Sequence, residues 1–283
     1  METETSTNVT AGVMATPHGE VVLRMRGISK SFGSVQALTD VDLDIAAGEV
    51  VALVGDNGAG KTTLVKVLAG VHPQDSGTIE LQGEQVSIDN PSTAISLGIA
   101  TVFQDLALCE NLDVVSNLFL GRELSKKRLD EVTMEVKSWE LLRQLSARLP
   151  SVRQPASSLS GGQRQTVAIA RSLLGEPRVI LLDEPTAALG VAQTAEVLDL
   201  IERLRENGLA VMMISHNMED VNAVADRVVV LRLGRNNGVF DINEVTSRDV
   251  VAAITGATDN VVTRRAGRRS THRTALAKEE FDS

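Results

Sequence analysis

The stretch Gly55-Asp56-Asn57-Gly58-Ala59-Gly60-Lys61-Thr62-Thr63 constrains this chain more than any other. Its spacing is Gly, four residues, then Gly-Lys-Thr. Glycines let backbone N–H groups turn inward and approach a phosphate closely, in conformations that a side chain would forbid. Lys61 supplies a compact positive charge for the outer phosphates, and the Thr62 hydroxyl is small and hard enough to be a magnesium ligand. The flanks agree with this reading. Residues 49–54 are a short apolar run that reads as a buried strand, and residues 64–69 read as a helix stopped at Gly70. A phosphate at the start of that helix meets unpaired N–H groups and the positive end of the helix dipole.

Composition narrows the partners. The chain has 283 residues, 43% of them hydrophobic and 23% charged, enough for one large globular domain or two small ones. A net charge of −9 and an aromatic content of 2%, with no Tyr, argue against nucleic acid as a partner. The single cysteine, Cys109, excludes an internal disulfide and fits a reducing compartment. No apolar run approaches the roughly 18 residues that span a bilayer. The N-terminus has no Lys or Arg before Arg24 and lacks the pattern of a signal peptide. Any membrane role is therefore expected to come through a partner.

In chain order, residues 1–20 read as a disordered lead. Residues 21–25 read as a strand, and Val41, Leu43 and Ile45 alternate with Asp42 and Asp44 as in a half-buried strand. Further strands are expected at 78–81, 99–103, 179–182, 209–214 and 228–231, with a turn at 234–238. Residues 105–158 carry helical patterns, among them Trp139, Leu142 and Leu145, and read as a small helical subdomain inserted in an α/β core. Ser160-Gly161-Gly162-Gln163 opens a helix with a capping-box pattern, which Gly175 and Pro177 are expected to stop. Residues 191–205 read as an amphipathic helix with Ala195, Leu198, Ile201 and Leu204 on its apolar face. A last helix is expected over 246–254, followed by a disordered polar tail from about residue 257. The ordered domain is thus 21–256.

Four apolar strands end in polar residues of one kind of use. One runs into the phosphate loop, one ends at Gln104, one at Asp183-Glu184 and one at Ser215-His216. In an open parallel sheet, ligands bind beyond the carboxyl ends of the strands, so all four sets point to one nucleotide site. There Asp183 suits a magnesium partner, Glu184 the group that orients or deprotonates a water, and His216 the γ-phosphate; Gln104 suits the metal or the water. Ser160-Gly161-Gly162-Gln163 is a second helix start of the anion-binding kind. Because the phosphate loop already cradles the phosphates, the simplest use of both is head-to-tail pairing, with this helix end capping a nucleotide held by another chain.

As a set, these motifs resemble those of the nucleotide-binding subunits of ABC transporters. The phosphate loop, Gln104, Leu159-Ser160-Gly161-Gly162-Gln163, Ile180-Leu181-Leu182-Asp183-Glu184-Pro185 and His216 occur in that family's order. The resemblance covers about residues 21–255. It implies an α/β fold with a RecA-like P-loop NTPase core, an N-terminal antiparallel β subdomain and the inserted helical subdomain. It also implies ATP and Mg²⁺ as ligands and an adenine-stacking role for Phe32.

Residues 117–123 and 186–191 resemble the ribose, xylose and fructose importers. That branch implies an ATPase on the cytoplasmic face of the cell membrane, held there by permease subunits, with an extracytoplasmic sugar-binding protein as a further component. Two departures are visible: this chain has one cassette, and Gly190 stands where most of the family has Asp. An ABC-type ATPase outside transport and a weakly catalytic nucleotide-binding regulator stay open at this point. Leu106, Leu108 and Leu112 read as an apolar surface loop that docks a permease helix, and the Arg-rich stretch 264–273 as a solvated tail.

Overall fold

The computed structural model describes residues 15–124 and 129–257. Strands β1 (Val21–Phe32) and β2 (Val35–Ala46) form a hairpin, and β3 (Val50–Val54) runs through the glycine-rich loop into α1 (Lys61–Leu68). A second hairpin, β4 (Ser76–Leu81) and β5 (Glu84–Val86), precedes α2 (Pro91–Ser96) and β6 (Ile99–Val102). Then come α3 (Val114–Phe119), α4 (Glu131–Gln144), a 3₁₀ turn at Ala156–Ser158 and α5 (Gly161–Leu173). The chain closes through β7 (Val179–Asp183), α6 (Val191–Glu206), β8 (Ala210–Ile214), α7 (Met218–Val224), β9 (Arg227–Arg232), β10 (Arg235–Asp241) and α8 (Ser247–Thr255).

The strands make two sheets. An antiparallel sheet has the order β2-β1-β4-β5, and a six-stranded sheet has the order β10-β9-β3-β8-β7-β6. In the larger sheet all neighbours are parallel except the β9–β10 hairpin. Its central strands are apolar on both faces, as a sheet covered on both sides requires. Alternation along each strand then divides the core in two. Val50, Ala52 and Val54 of β3 face the layer of α3, α4, α5, α6 and α8, whereas Val51 and Leu53 face α1 and the antiparallel sheet. The two sheets are joined where Asn236 Nδ2 donates to Asp42 O (3.0 Å) and Asp42 N to Asn236 Oδ1 (2.8 Å).

Several expectations need correction. Residues 15–20, read as part of a disordered lead, lie along the sheet. Ala15 N donates to Val239 O (3.3 Å), Arg227 Nη1 to Ala15 O (3.1 Å), and His18 Nε2 lies 2.8 Å from Asp241 Oδ2. The remainder of that lead, 1–14, and the tail, 258–283 with its arginines, lie outside the described residues. The turn expected over 234–238 is only Leu233-Gly234, both left-handed (φ 51° and 76°), and β10 runs through the rest with a bulge. On α6 the buried stripe is Val197, Leu200, Ile201 and Leu204, while Ala195 is exposed. The reversal after α5 is made by Glu176 (φ 49°) rather than by Gly175. Helices α2 and α7 add to the expected elements, capped by Asn90 before Pro91 and by Asn217.

The inserted subdomain is less helical than its sequence suggests. Residues 105–113 run without regular structure, held by the fully buried Asn117, whose side chain accepts from Cys109 N (2.7 Å) and donates to Cys109 O, Leu112 O and Asp113 O. Leu106 and Leu108 of that run are half-buried against the core, so the loop is only in part an exposed apolar surface.

Candidate nucleotide site

Neighbour order β3-β8-β7-β6 and parallel pairing bring four strand ends to one edge. Leu53 pairs with Ile214, Asp183 with Ile214, and Leu182 with Val102. Immediately beyond lie the phosphate loop, Ser215 and His216, Glu184, and Phe103 with Gln104. The convergence that the sequence suggested is therefore a product of sheet topology.

Within the loop, Gly58 (φ 80°) and Gly60 (φ 105°) are left-handed. A Cβ on Gly60 would lie 2.8 Å from both Ala37 O and Leu38 Cδ2, so β2 packs directly against the loop there. Asp56, Asn57, Gly58 and Thr62 are exposed, Gly55 and Thr63 half-buried, and Ala59 buried. Lys61 is buried, and its Nζ donates to Gly55 O (2.5 Å) and Asp56 O (3.0 Å). Burial lowers its pKa, against the pull of the Glu184, Asp56 and Asp183 carboxylates. The ammonium is thus folded over the loop through two neutral carbonyls.

Asp183 is buried at the end of β7. Its pKa is raised, first by burial and then by the adjacent Glu184 charge, with Lys61 opposing. A carboxylate in that condition is satisfied by a cation. Thr62, Asp183 and Gln104 offer oxygen donors of the hard kind that Mg²⁺ prefers, so the residues fit that ion. Among the described residues no group of three His, Cys, Asp or Glu converges as a metal cage.

Glu184 carries a left-handed backbone (φ 50°), and its N–H donates to Ile214 O (3.0 Å). That turns the residue across the end of β8. Its Oε1 lies 3.2 Å from His216 Nδ1, with the histidine largely exposed and the glutamate largely covered. Gln104 is exposed two residues beyond β6.

Ser160 and Gln163 form a complete capping box at the start of α5: Ser160 Oγ accepts from Gln163 N (3.2 Å), and Gln163 Oε1 from Ser160 N (2.9 Å). The remaining Gln163 N–H reaches Arg148 O at 3.4 Å. Both side chains are therefore committed to their own helix end. A Cβ on Gly161 would lie 2.7 Å from Leu189 Cδ2, and one on Gly162 3.1 Å from Gln193 Cβ. The glycines admit Leu189 and the start of α6. Phe32, at the tip of the β1–β2 hairpin, is 43% exposed, meets His72 edge to face at 5.1 Å and has Lys30 Nζ 5.6 Å from its centroid. Thr186, Asn217 and Asp220 join the loops behind Glu184 and His216; nothing in their spacing marks them in the sequence.

The family model described as ABC transporter matches residues 38–187, which include the phosphate loop, the capping-box helix and the Asp183-Glu184 pair. The chain belongs to the ABC transporter family. The cassette is 46% identical over 215 residues to the xylose/arabinose import ATP-binding protein XylG of Sulfolobus acidocaldarius, covering 76% of this chain and 86% of that one. It is 42% identical over 247 residues to the fructose import ATP-binding protein FrcA of Rhizobium meliloti, covering 84% and 95%. Among solved structures, an ATP-binding cassette of an ABC transporter in its ADP conformation superposes with a TM-score of 0.74 at 26% identity, over 83% of this chain and 99% of that one. A dimeric cassette bound to ADP and Pi shares the fold, with a TM-score of 0.66 at 24% identity over 78% and 98%. The cassette is thus an ABC ATPase. No helix among its described residues is long and apolar enough to cross a membrane.

Proposed function

We propose that this chain is the ATP-hydrolysing subunit that energises import of a monosaccharide through a membrane permease. The observation that carries the hydrolytic part is the alignment of Lys61, Asp183, Glu184 and His216 on one edge of a parallel sheet. The sugar assignment is supported by likeness to the xylose/arabinose and fructose import proteins across most of their lengths.

In this reading the ATP phosphates lie in the loop 55–63, with the base against Phe32. Lys61 exchanges its carbonyl partners for phosphate oxygens. Thr62, Asp183 and Gln104 hold Mg²⁺, which supplies positive charge to the phosphates and lets Asp183 stay ionised despite burial. Glu184 orients the attacking water and accepts its proton. His216 keeps the Glu184 carboxylate turned toward the phosphate end and donates to the γ-phosphate. The Ser160–Gly162 helix start acts on a nucleotide held by a second cassette, paired head to tail, and Gln163 holds that helix end in shape.

Permease subunits hold the pair at the cytoplasmic face of the membrane, and an extracytoplasmic sugar-binding protein delivers the sugar. Leu106, Leu108 and Leu112, with the groove between β6 and α5, face the permease. Nucleic acid is not a partner for so acidic a chain.

Sugar uptake by vesicles holding the permease and this chain tests the proposal. Uptake that depends on ATP and is abolished by Lys61→Ala is the expected result. Uptake unaffected by that change, or an isolated chain without ATPase activity, would overturn it.

A further inference from the structure

The loop after β7 places two non-glycine residues in left-handed conformations, Glu184 (φ 50°) and Ala188 (φ 59°). L-residues adopt that region less readily than glycine, so the backbone of this loop is constrained at two points. Thr186 stands between the two. Its Oγ1 donates to Asp220 Oδ2 at 2.6 Å, while its carbonyl accepts from Leu189 N at 3.3 Å. Asp220 is only 5% exposed and lies on α7. Its other oxygen, Oδ1, accepts from Asn217 Nδ2 at 3.0 Å.

Asn217 is the residue after His216, and it is itself fixed. Its Oδ1 accepts from Glu219 N (2.9 Å), so its side-chain amide cannot reverse without losing that bond, and its backbone N–H donates to Ser215 Oγ (3.0 Å). No Lys or Arg pairs with Asp220 among the described residues. Its charge is met by the Thr186 hydroxyl and the Asn217 amide, one from each loop. A buried carboxylate that accepts from two segments ties them more firmly than a neutral acceptor would.

We propose that Asp220 is a positioning residue for hydrolysis: by holding Thr186 with one oxygen and Asn217 with the other, it keeps Glu184 and His216 facing each other at 3.2 Å. This rests on the hydrolytic reading of those two residues. It adds that the Glu184 loop and the His216 turn move as one unit, because one side chain bonds to both.

Thr186→Val keeps shape and removes only the hydroxyl bond, Thr186→Ser keeps the bond, and Asp220→Ala removes both arms. The full chain is compared for steady-state kcat and KM, melting temperature, and amide hydrogen exchange of 184–190 and 215–220 without nucleotide. Expected for Thr186→Val and Asp220→Ala is a kcat at least tenfold lower, a KM for ATP within twofold, and faster exchange in both segments. Thr186→Ser should match the parent chain. If Asp220→Ala does not fold, Thr186→Val decides. A folded Thr186→Val with parental kcat, a Thr186→Ser as slow as Thr186→Val, or faster exchange confined to 184–190 would overturn the proposal. Glu184→Gln and His216→Ala are run alongside. Parental rates in those two would overturn the hydrolytic reading itself, whereas their loss beside an active Thr186→Val would overturn only the role of Asp220.

Discussion

His216 Nδ1 lies 3.2 Å from Glu184 Oε1, although one residue follows β8 and the other follows β7. The two strands are parallel neighbours with Asp183 opposite Ile214, so the residues just past each end emerge side by side. The left-handed turn at Glu184 then swings its carboxylate toward β8 instead of along β7. In the proposed hydrolytic reading, Glu184 is the acceptor for a water proton and His216 the partner that orients it.

That pairing makes Glu184→Gln informative. The amide keeps the shape and the contact with His216 but cannot take up a proton. The turnover rate should fall by about 10²–10⁴-fold, the usual worth of a general base, while ATP binding persists. Phosphate release measures the first and equilibrium binding the second. Gel filtration with ATP should show a dimer accumulating. A variant that hydrolyses ATP at the parental rate would remove Glu184 from the chemistry.

Asp183→Asn should separate stability from activity. Burial and Glu184 raise the Asp183 pKa in the folded chain, so the fold disfavours its ionised form. That cost is fully present above the folded pKa and disappears below the ordinary value of 3.8. The nucleotide-free variant should therefore melt higher than the parent chain at neutral pH. The advantage should shrink as pH falls through the folded pKa. Mg²⁺-dependent ATPase should be lost. Melting scans across pH, with and without Mg²⁺-ATP, test both parts.

Gly58 and Gly60 differ in what an added methyl meets. Both are left-handed, but Gly58 faces open space, whereas a Cβ on Gly60 lies 2.8 Å from the Ala37 carbonyl. Gly58→Ala should cost about 1 kcal/mol of backbone strain. Gly60→Ala should cost more, about 1–3 kcal/mol of strain plus displacement of β2, and should weaken ATP binding. Urea unfolding and nucleotide titration would rank the two; equal costs would show that β2 yields freely.

Gly190 caps α6 with an extended backbone (φ −77°, ψ 162°), no side-chain bond and open space around it. Gly190→Asp should cap the helix and gain a few tenths of a kcal/mol, about 1 °C in melting temperature. ATP affinity should stay unchanged. A carboxylate that also reaches a paired cassette would alter the ATPase rate or its Hill coefficient, and unchanged values would show that the position is neutral to coupling.

The sequence by itself determined the phosphate loop with its flanking strand and helix, because Gly-rich turns, a Lys-Thr pair and an apolar run are local signals. It also determined the capping box at Ser160 and Gln163, whose two bonds span a single turn. Where it misplaced an element, the signal was weak or shared: Ala195 fits a helical stripe by spacing, but only packing decides which side of α6 is covered, and Gly175 looks like a helix stop although Glu176 makes the reversal. The tertiary structure alone decided that Glu184 meets His216, that β2 presses on Gly60, and that Asp220 bonds to Thr186. Those contacts join segments distant in the chain, and they exist because the order β3-β8-β7-β6 is set by burying two faces of one sheet rather than by any local pattern.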